Sequence, residues 1–359
     1  MVFNACVSGS CSTILAAATA VPDHIITPEA ARAHIGKVFN IDGYRLETMM
    51  SVIGNAQIRK RHILFPVEYT VTPRPLSKTN AEYQEHSIRL GKAVAEECLE
   101  KARLKPADID LLITVSCTGF MIPSLDAYLI DLMGFRSDIN RLPVTELGCA
   151  AGAMALKQAW QFLCAFPGKN VLAISVELPS LTFQRRDNSA ANLICSILFG
   201  DGAAAVAVAG RHSTGPHILG TRTYTFPRSL DAMGFDLRDS GFHILLSKDV
   251  PLMIRQQIRD IVEHFLAEYG LTLSHISAFI LHPGGQKMLS YIEEELNLSR
   301  DDTRFSWEIL EEYGNLSSAT ILFILHEWLT KKEMRQGDYG LAIAFGPGFT
   351  AELLLLQWQ

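Results

Sequence analysis

Apolar and polar positions along the chain follow two rhythms. Short runs such as Ile109-Asp-Leu-Leu-Ile-Thr-Val115, Val171-Leu-Ala-Ile-Ser-Val-Glu177 and Ala278-Phe-Ile-Leu281 are apolar at consecutive positions and rich in branched residues. That is the pattern of a strand buried on both faces. Longer stretches at 82–103, 150–165, 251–269 and 318–333 repeat their apolar residues at helical spacing, which predicts helices with one buried face. Strands alternating with helices predict an α/β protein whose central strands are largely parallel.

No charge block or Pro/Gly-rich linker divides the chain; it echoes itself instead. Phe199-Gly-Asp-Gly-Ala-Ala-Ala-Val-Ala-Val returns as Phe345-Gly-Pro-Gly-Phe-Thr-Ala-Glu-Leu-Leu, and Leu104-Lys-Pro-Ala-Asp-Ile-Asp-Leu-Leu-Ile returns as Leu271-Thr-Leu-Ser-His-Ile-Ser-Ala-Phe-Ile. Gly148-Cys149 before one helix is matched by Gly314-Asn315 before another. Three echoes in the same order predict two related α/β halves, residues 1–210 and 211–359. Gly200-Asp-Gly202 and Gly346-Pro-Gly348 do not fit a dinucleotide fingerprint opening a helix, and read as turns between strands.

The duplication also places the chemistry. Cys117 and His282 fall at the C-terminal ends of equivalent strands, and Cys149 and Asn315 at equivalent helix N-termini. Sites in open α/β sheets gather beyond the carboxyl ends of strands, so one site at the junction of the halves is expected. Cys149, among the small residues Gly148, Ala150, Ala151 and Gly152, is either a nucleophile with a thiol pKa lowered by the helix end or a core cysteine. His282, before Pro283-Gly-Gly285, is either catalytic or held by a backbone carbonyl. Asn315 caps the following helix, donates to an oxyanion, or does both. Cysteine, histidine and asparagine together suit acyl transfer through thioesters, with no metal, flavin or nicotinamide required.

Composition narrows the classes. Thirty-two lysines and arginines stand against 38 aspartates and glutamates, a net charge of -6, which argues against nucleic-acid binding. No apolar run approaches the ~20 residues of a membrane span, and the first residues lack the basic start of a secretory signal, so a cytoplasmic protein is expected. The seven cysteines, at positions 6, 11, 98, 117, 149, 164 and 195, form no CxxC pair and no zinc spacing.

Gly148-Cys-Ala-Ala-Gly152, Leu198-Phe-Gly-Asp-Gly-Ala-Ala-Ala205, His282-Pro-Gly-Gly285, Tyr313-Gly-Asn-Leu-Ser-Ser318 and Phe345-Gly-Pro-Gly348 together resemble the type III polyketide synthases, the chalcone-synthase-like branch of the thiolase fold. The resemblance runs from about Ser12 to the end, with no counterpart identified for residues 1–11. It implies a thiolase-like α-β-α-β-α core and a homodimer using free acyl-CoA and malonyl-CoA as substrates. It gives Cys149 the acyl chain, His282 and Asn315 the malonyl decarboxylation and its enolate, and Phe199 a gatekeeping place between CoA tunnel and cavity.

Within that family, Met233–Pro251 and Ser180-Leu-Thr-Phe-Gln184 are similar to bacterial alkylpyrone and alkylresorcinol synthases, with Ile244 where plant members carry a second aromatic gatekeeper. Ser116-Cys-Thr-Gly-Phe-Met-Ile-Pro-Ser124 is similar to many bacterial members, including those making tetrahydroxynaphthalene, whose cysteine at the place of Cys117 shapes or primes the cavity. Thr182 and Ser317 are the further substrate contacts implied. Arg59, Arg61 and Lys287 are candidates for the CoA phosphates.

The expected reaction is iterative condensation of malonyl-CoA onto a medium- or long-chain acyl starter on Cys149, closing to an alkyl α-pyrone or resorcinol. The alternatives are a malonyl-primed tetrahydroxynaphthalene-type synthase, a single-round ketoacyl synthase fed by an acyl carrier protein, and a non-catalytic thiolase-fold scaffold.

Overall fold

The computed structural model describes residues 12–210, 214–331 and 335–359. Cys6 and Cys11 lie outside them. Nine strands form one mixed sheet: β1 (Thr13–Ala20), β4 (Leu111–Val115), β5 (Asn140–Val144), β6 (Asn170–Glu177), β7 (Gly202–Ala209), β8 (Pro216–Thr225), β11 (Ile276–Leu281), β12 (Tyr339–Gly346) and β13 (Thr350–Trp358). Two small antiparallel pairs stand apart, β2 (His24–Ile26) with β3 (Arg61–Ile63) and β9 (Met233–Arg238) with β10 (Gly241–Leu246).

The sheet order is β11-β12-β13-β8-β1-β7-β6-β4-β5. Read outward from the β8–β1 junction, each side presents the same sequence of pairings. β1 and β7, like β8 and β13, are antiparallel; so are β7 and β6, like β13 and β12; β6 and β4 are parallel, like β12 and β11.

The helices are α1 (Pro28–Phe39), α2 (Gly43–Asn55), α3 (Val67–Thr70), α4 (Leu76–Ala102), α5 (Leu125–Met133), α6 (Ala151–Ala165), α7 (Ala190–Leu198), α8 (Val250–Ala267), α9 (Gln286–Leu296), α10 (Arg304–Tyr313) and α11 (Thr320–Lys331). Their packing yields five layers. Helices α6 and α11 lie inside, against strands from both ends of the sheet, while α4 with α5 and α8 with α9 cover the outer faces. This is the thiolase-like α-β-α-β-α arrangement expected from the sequence.

The layering explains the apolar runs. Successive side chains of a strand point to opposite faces, and here both faces are covered. In β11, Ala278 and Ile280 enter the central layer while Phe279 and Leu281 enter an outer one. In β7, Ala204, Val206 and Val208 face inward and Ala203, Ala205 and Ala207 outward.

Three expectations change. The central strands, expected to be largely parallel, pair antiparallel from β12 through β6, and only β11–β12, β6–β4 and β4–β5 are parallel, because the apolar runs report burial on both faces and not strand direction. Helix α4 begins at Leu76, well before the predicted 82, because Pro75 opens it ahead of a polar first turn that carries no apolar period. Gly200-Asp-Gly202 joins helix α7 to strand β7 rather than two strands; α7 is short and almost wholly apolar, so its period is hard to see. Gly346-Pro-Gly348 does link two strands, β12 and β13. Among the described residues no helix is long and apolar enough to cross a membrane.

Candidate active site

One cavity of about 970 Å³ is lined by Cys149, His282 and Asn315, and by Cys117, Thr182, Phe199, Ile244, Ser317, Arg61 and Lys287. Of the residues singled out from the sequence, Arg59 alone does not line it.

Cys149 sits in the short 3-10 turn Gly148–Ala150 that leads into α6, and it is buried. Its thiol donates to the Ser317 hydroxyl at 3.5 Å. The expectation of a lowered thiol pKa does not hold: burial pushes it up to about 12, with the Glu177 carboxyl adding to the rise, and these outweigh the hydrogen bond with Ser317. His282 follows the last residue of β11, its backbone N–H fixed to Ile343 O at 2.9 Å. Its ring is buried, Nδ1 has no partner, and burial pulls its pKa down to about 3. Each group alone is held neutral. Both line the one cavity, where a thiol proton moved onto the imidazole would leave two opposite charges in place of a single buried one.

The Asn315 amide divides its work. Oδ1 accepts from the Ser317 N–H at 2.8 Å and the Thr320 hydroxyl at 3.4 Å, closing the turn before α11. Nδ2 makes a long 3.4 Å bond to Gly284 O, weak enough to be exchanged for a ligand oxygen, and the same amide eases ionisation of the Cys149 thiol. The cap and the donor are opposite ends of one side chain.

The glycine echoes press the two halves of the sheet together at this point. A Cβ on Gly346 would meet Leu147 O at 2.4 Å, and one on Gly148 would meet Pro347 Cδ at 2.5 Å, so the β12–β13 turn packs on the turn carrying Cys149. Likewise a Cβ on Gly200 would meet Tyr313 O at 2.4 Å, so the turn after Phe199 packs on the turn carrying Asn315. Phe199 and Asn315 form an isolated parallel β-bridge.

Cys117 is held by a residue that sequence reasoning passed over. Glu177, at the end of β6 and fully buried, accepts from the Cys117 N–H at 3.1 Å, the Cys117 thiol at 3.5 Å, the Thr118 hydroxyl at 2.9 Å and the Ser318 hydroxyl. Burial raises both acids of this pair, the carboxyl above its ordinary range and the Cys117 thiol well above a free thiol. Cys117 also reaches the Ser317 hydroxyl at 3.4 Å, so Ser317 lies between the two thiols. The only sequence signal was a carboxylate ending an apolar strand.

Where the sequence departs from an aromatic gate, Ile244, Leu245 and Leu246 line the cavity together with Phe235 and Phe242 of the same hairpin. Ile244 pairs with Phe235 in the β9–β10 hairpin. Thr182 closes the 3-10 turn Pro179–Thr182, its hydroxyl bonded to Pro179 O at 2.8 Å.

The three basic candidates fall in different settings. The Arg59 guanidinium is exposed and paired with Glu312, away from the cavity. Arg61 is buried and spends its guanidinium on backbone carbonyls of the segment around Phe199, so it is not an open phosphate site. Lys287 is exposed at the cavity with its ammonium 5.5 Å over the Tyr291 ring. Lys248, not read from the sequence, is a second exposed cation there. Among the described residues no group of three histidine, cysteine or carboxylate side chains is placed to hold a metal.

Residues 2–212 match the N-terminal domain of the chalcone and stilbene synthases and residues 219–358 the C-terminal domain. The match begins ten residues before Ser12, where the sequence resemblance had been placed. The chain is 36% identical over 348 residues to 1,3,6,8-tetrahydroxynaphthalene synthase of Streptomyces coelicolor, covering 97% of this chain and 92% of that protein. It is 32% identical over 339 residues to phloroglucinol synthase of Pseudomonas fluorescens, covering 94% and 96%. The crystal structure of the Streptomyces coelicolor synthase, described as a bacterial type III polyketide synthase, superposes with a TM-score of 0.93 at 36% identity, over 97% of this chain and 99% of that one.

Proposed function

The chain belongs to the chalcone and stilbene synthase family and is a type III polyketide synthase, an acyltransferase; from that premise we propose that it extends a medium- or long-chain acyl-CoA with malonyl-CoA and closes the product to an alkyl α-pyrone or resorcinol. The observation that carries this reading is a cavity of about 970 Å³, mostly apolar in its lining, that holds Cys149, His282 and Asn315 and has Ile244 in its wall.

The Cys149 sulfur attacks the starter thioester, its proton passing to His282, and CoA leaves as the thiol. Malonyl-CoA then loses carbon dioxide, and the enolate oxygen receives hydrogen bonds from Asn315 Nδ2 and the imidazole. One such donor is worth about 3–4 kcal/mol in a transition state. The enolate carbon attacks the Cys149 thioester, a carbon–carbon bond forms, and the thiolate is released to accept the lengthened chain for two or three rounds. The exposed Lys248 and Lys287 at the cavity are the cations available to a CoA phosphate. The working unit in this reading is a homodimer, and the chemistry needs no bound cofactor.

A second reading is favoured by Cys117, whose thiol shares the Ser317 hydroxyl with Cys149. It is a malonyl-primed synthase of the kind the tetrahydroxynaphthalene relatives are named for. Mass spectrometry of products from purified protein, malonyl-CoA and starters from acetyl- to stearoyl-CoA separates the two. Alkyl tri- or tetraketides from the longer starters support the first reading, and products from malonyl-CoA alone support the second. Silence until an acyl carrier protein is supplied, then a single condensation, overturns both. Cys149→Ala should make no product in either.

A further inference from the structure

We infer that Arg61 is a positioning residue for chain extension, fixing the cavity wall at Phe199 and the Asn315 amide in register with each other. The inference rests on the polyketide-synthase reading of the site and extends it to a cavity-lining residue whose guanidinium is spent on backbone carbonyls.

Arg61 opens strand β3 and is 5% exposed. One nitrogen, Nη1, donates to Ser196 O at 2.9 Å and to Phe199 O at 2.6 Å. These carbonyls end α7, where the last turn leaves acceptors unpaired and the helix dipole is negative, so a buried cation is suited to the position. Burial draws the guanidinium down to about 10, and the Asp201 carboxylate opposes that, so the cation persists at neutral pH.

The stem of the same side chain is equally constrained. A Cβ on Gly314 would fall 2.9 Å from Arg61 Cγ and 2.5 Å from Leu198 O, and one on Gly200 would fall 3.4 Å from Arg61 Cβ. Arg61 therefore runs between the glycine that precedes Asn315 and the glycine that follows Phe199. Those two segments are laced directly: the Asn315 N–H bonds Leu198 O at 2.9 Å, and the Gly200 N–H bonds Asn315 O at 3.0 Å. One side chain thus seats both strands of the Phe199–Asn315 bridge. Phe199 and Asn315 both line the cavity, so a shift of this seat reaches the donor and the wall together.

The test compares wild type, Arg61→Gln and Arg61→Lys in steady-state kinetics with malonyl-CoA, in product distribution across starter lengths, and in thermal denaturation. Misplacing a catalytic donor by about an ångström lowers turnover by roughly a hundredfold. Arg61→Gln is expected to lose kcat by roughly tenfold to a hundredfold on that scale while KM for malonyl-CoA changes less, and to shift the starter profile. Arg61→Lys, which keeps the stem and the charge, is expected to recover part of kcat, and it carries the test if the glutamine variant does not fold. A lower melting temperature with unchanged kcat and starter profile in either variant overturns the inference. So does a rise in KM for CoA thioesters with kcat intact, which would return Arg61 to phosphate binding. A wild type silent with every starter overturns the functional reading and this inference with it.

Discussion

Gly148 and Pro347 are packed so closely that a Cβ on the glycine would lie 2.5 Å from the proline ring, on a backbone already held at φ +49°. The nucleophile's turn is therefore shaped by a residue of the distant β12–β13 turn. Replacing Gly148 by alanine adds a left-handed strain of about 1–3 kcal/mol, and either the proline ring or Cys149 must move. Gly148→Ala should lower both the melting temperature and the turnover. Denaturation and product assays run on the same preparation check this, and a variant equal to wild type in both would show that the ring yields freely.

A second expectation concerns ionisation. Burial holds the Cys149 thiol up at about 12 and the His282 imidazole down at about 3, so a thiolate forms readily only when the imidazole takes its proton. In His282→Gln the thiol stands alone, and with its pKa far above neutrality its alkylation by iodoacetamide should climb about tenfold per pH unit between 7 and 9. Wild type should react faster at every pH in that interval, since the paired form buries no net charge. Equal rates in the two proteins would show that His282 does not help ionise the thiol.

The layers were legible in the sequence because strands buried on both faces cannot hide their apolar runs, and because the echoed turns meet across the sheet. Gly200 and Gly346 recur since each lies against a carbonyl of the opposite half, Tyr313 O and Leu147 O, where a Cβ has no room. That Cys149, His282 and Asn315 meet in one cavity was readable because each stands at a strand or helix end with small neighbours. The burial of Arg61 was missed for the reason that hid Glu177: a charged residue's burial is decided by partners far along the chain. Flanked by Arg59 and Lys60, Arg61 looks like solvated surface until α7 and Gly314 close over it. Glu177 reads as the polar end of a strand until Cys117, Thr118 and Ser318 arrive from other elements.

Glu177 should govern the second thiol. Its carboxyl and its burial both push the Cys117 thiol up, so removing the negative charge lowers that pKa and raises the thiolate fraction at a given pH. In a Cys149→Ala background, Glu177→Gln should speed alkylation at Cys117, read by peptide mass spectrometry. The same change turns amide hydrogens toward buried donors and should lower stability by about 1–3 kcal/mol. Slower labelling at Cys117, or no change in it, would remove Glu177 from control of the thiol.

Starter length tests the place of Ile244. Ile244 lies on a hairpin outside the main sheet and lines the cavity, so its side chain can set how much acyl chain the cavity buries without touching the layered core. Each buried methylene contributes about 0.8 kcal/mol, or roughly fourfold in preference. A phenylalanine that displaces two methylenes should therefore lower kcat/KM for long starters by roughly fifteenfold while leaving acetyl-CoA nearly unchanged. Competition of mixed acyl-CoAs for Ile244→Phe against wild type gives the ratio directly. An unchanged length profile would mean that the alkyl chain runs along another wall of the cavity. Ile244 would then have no part in starter choice, and the long-chain reading would need support from elsewhere in the lining.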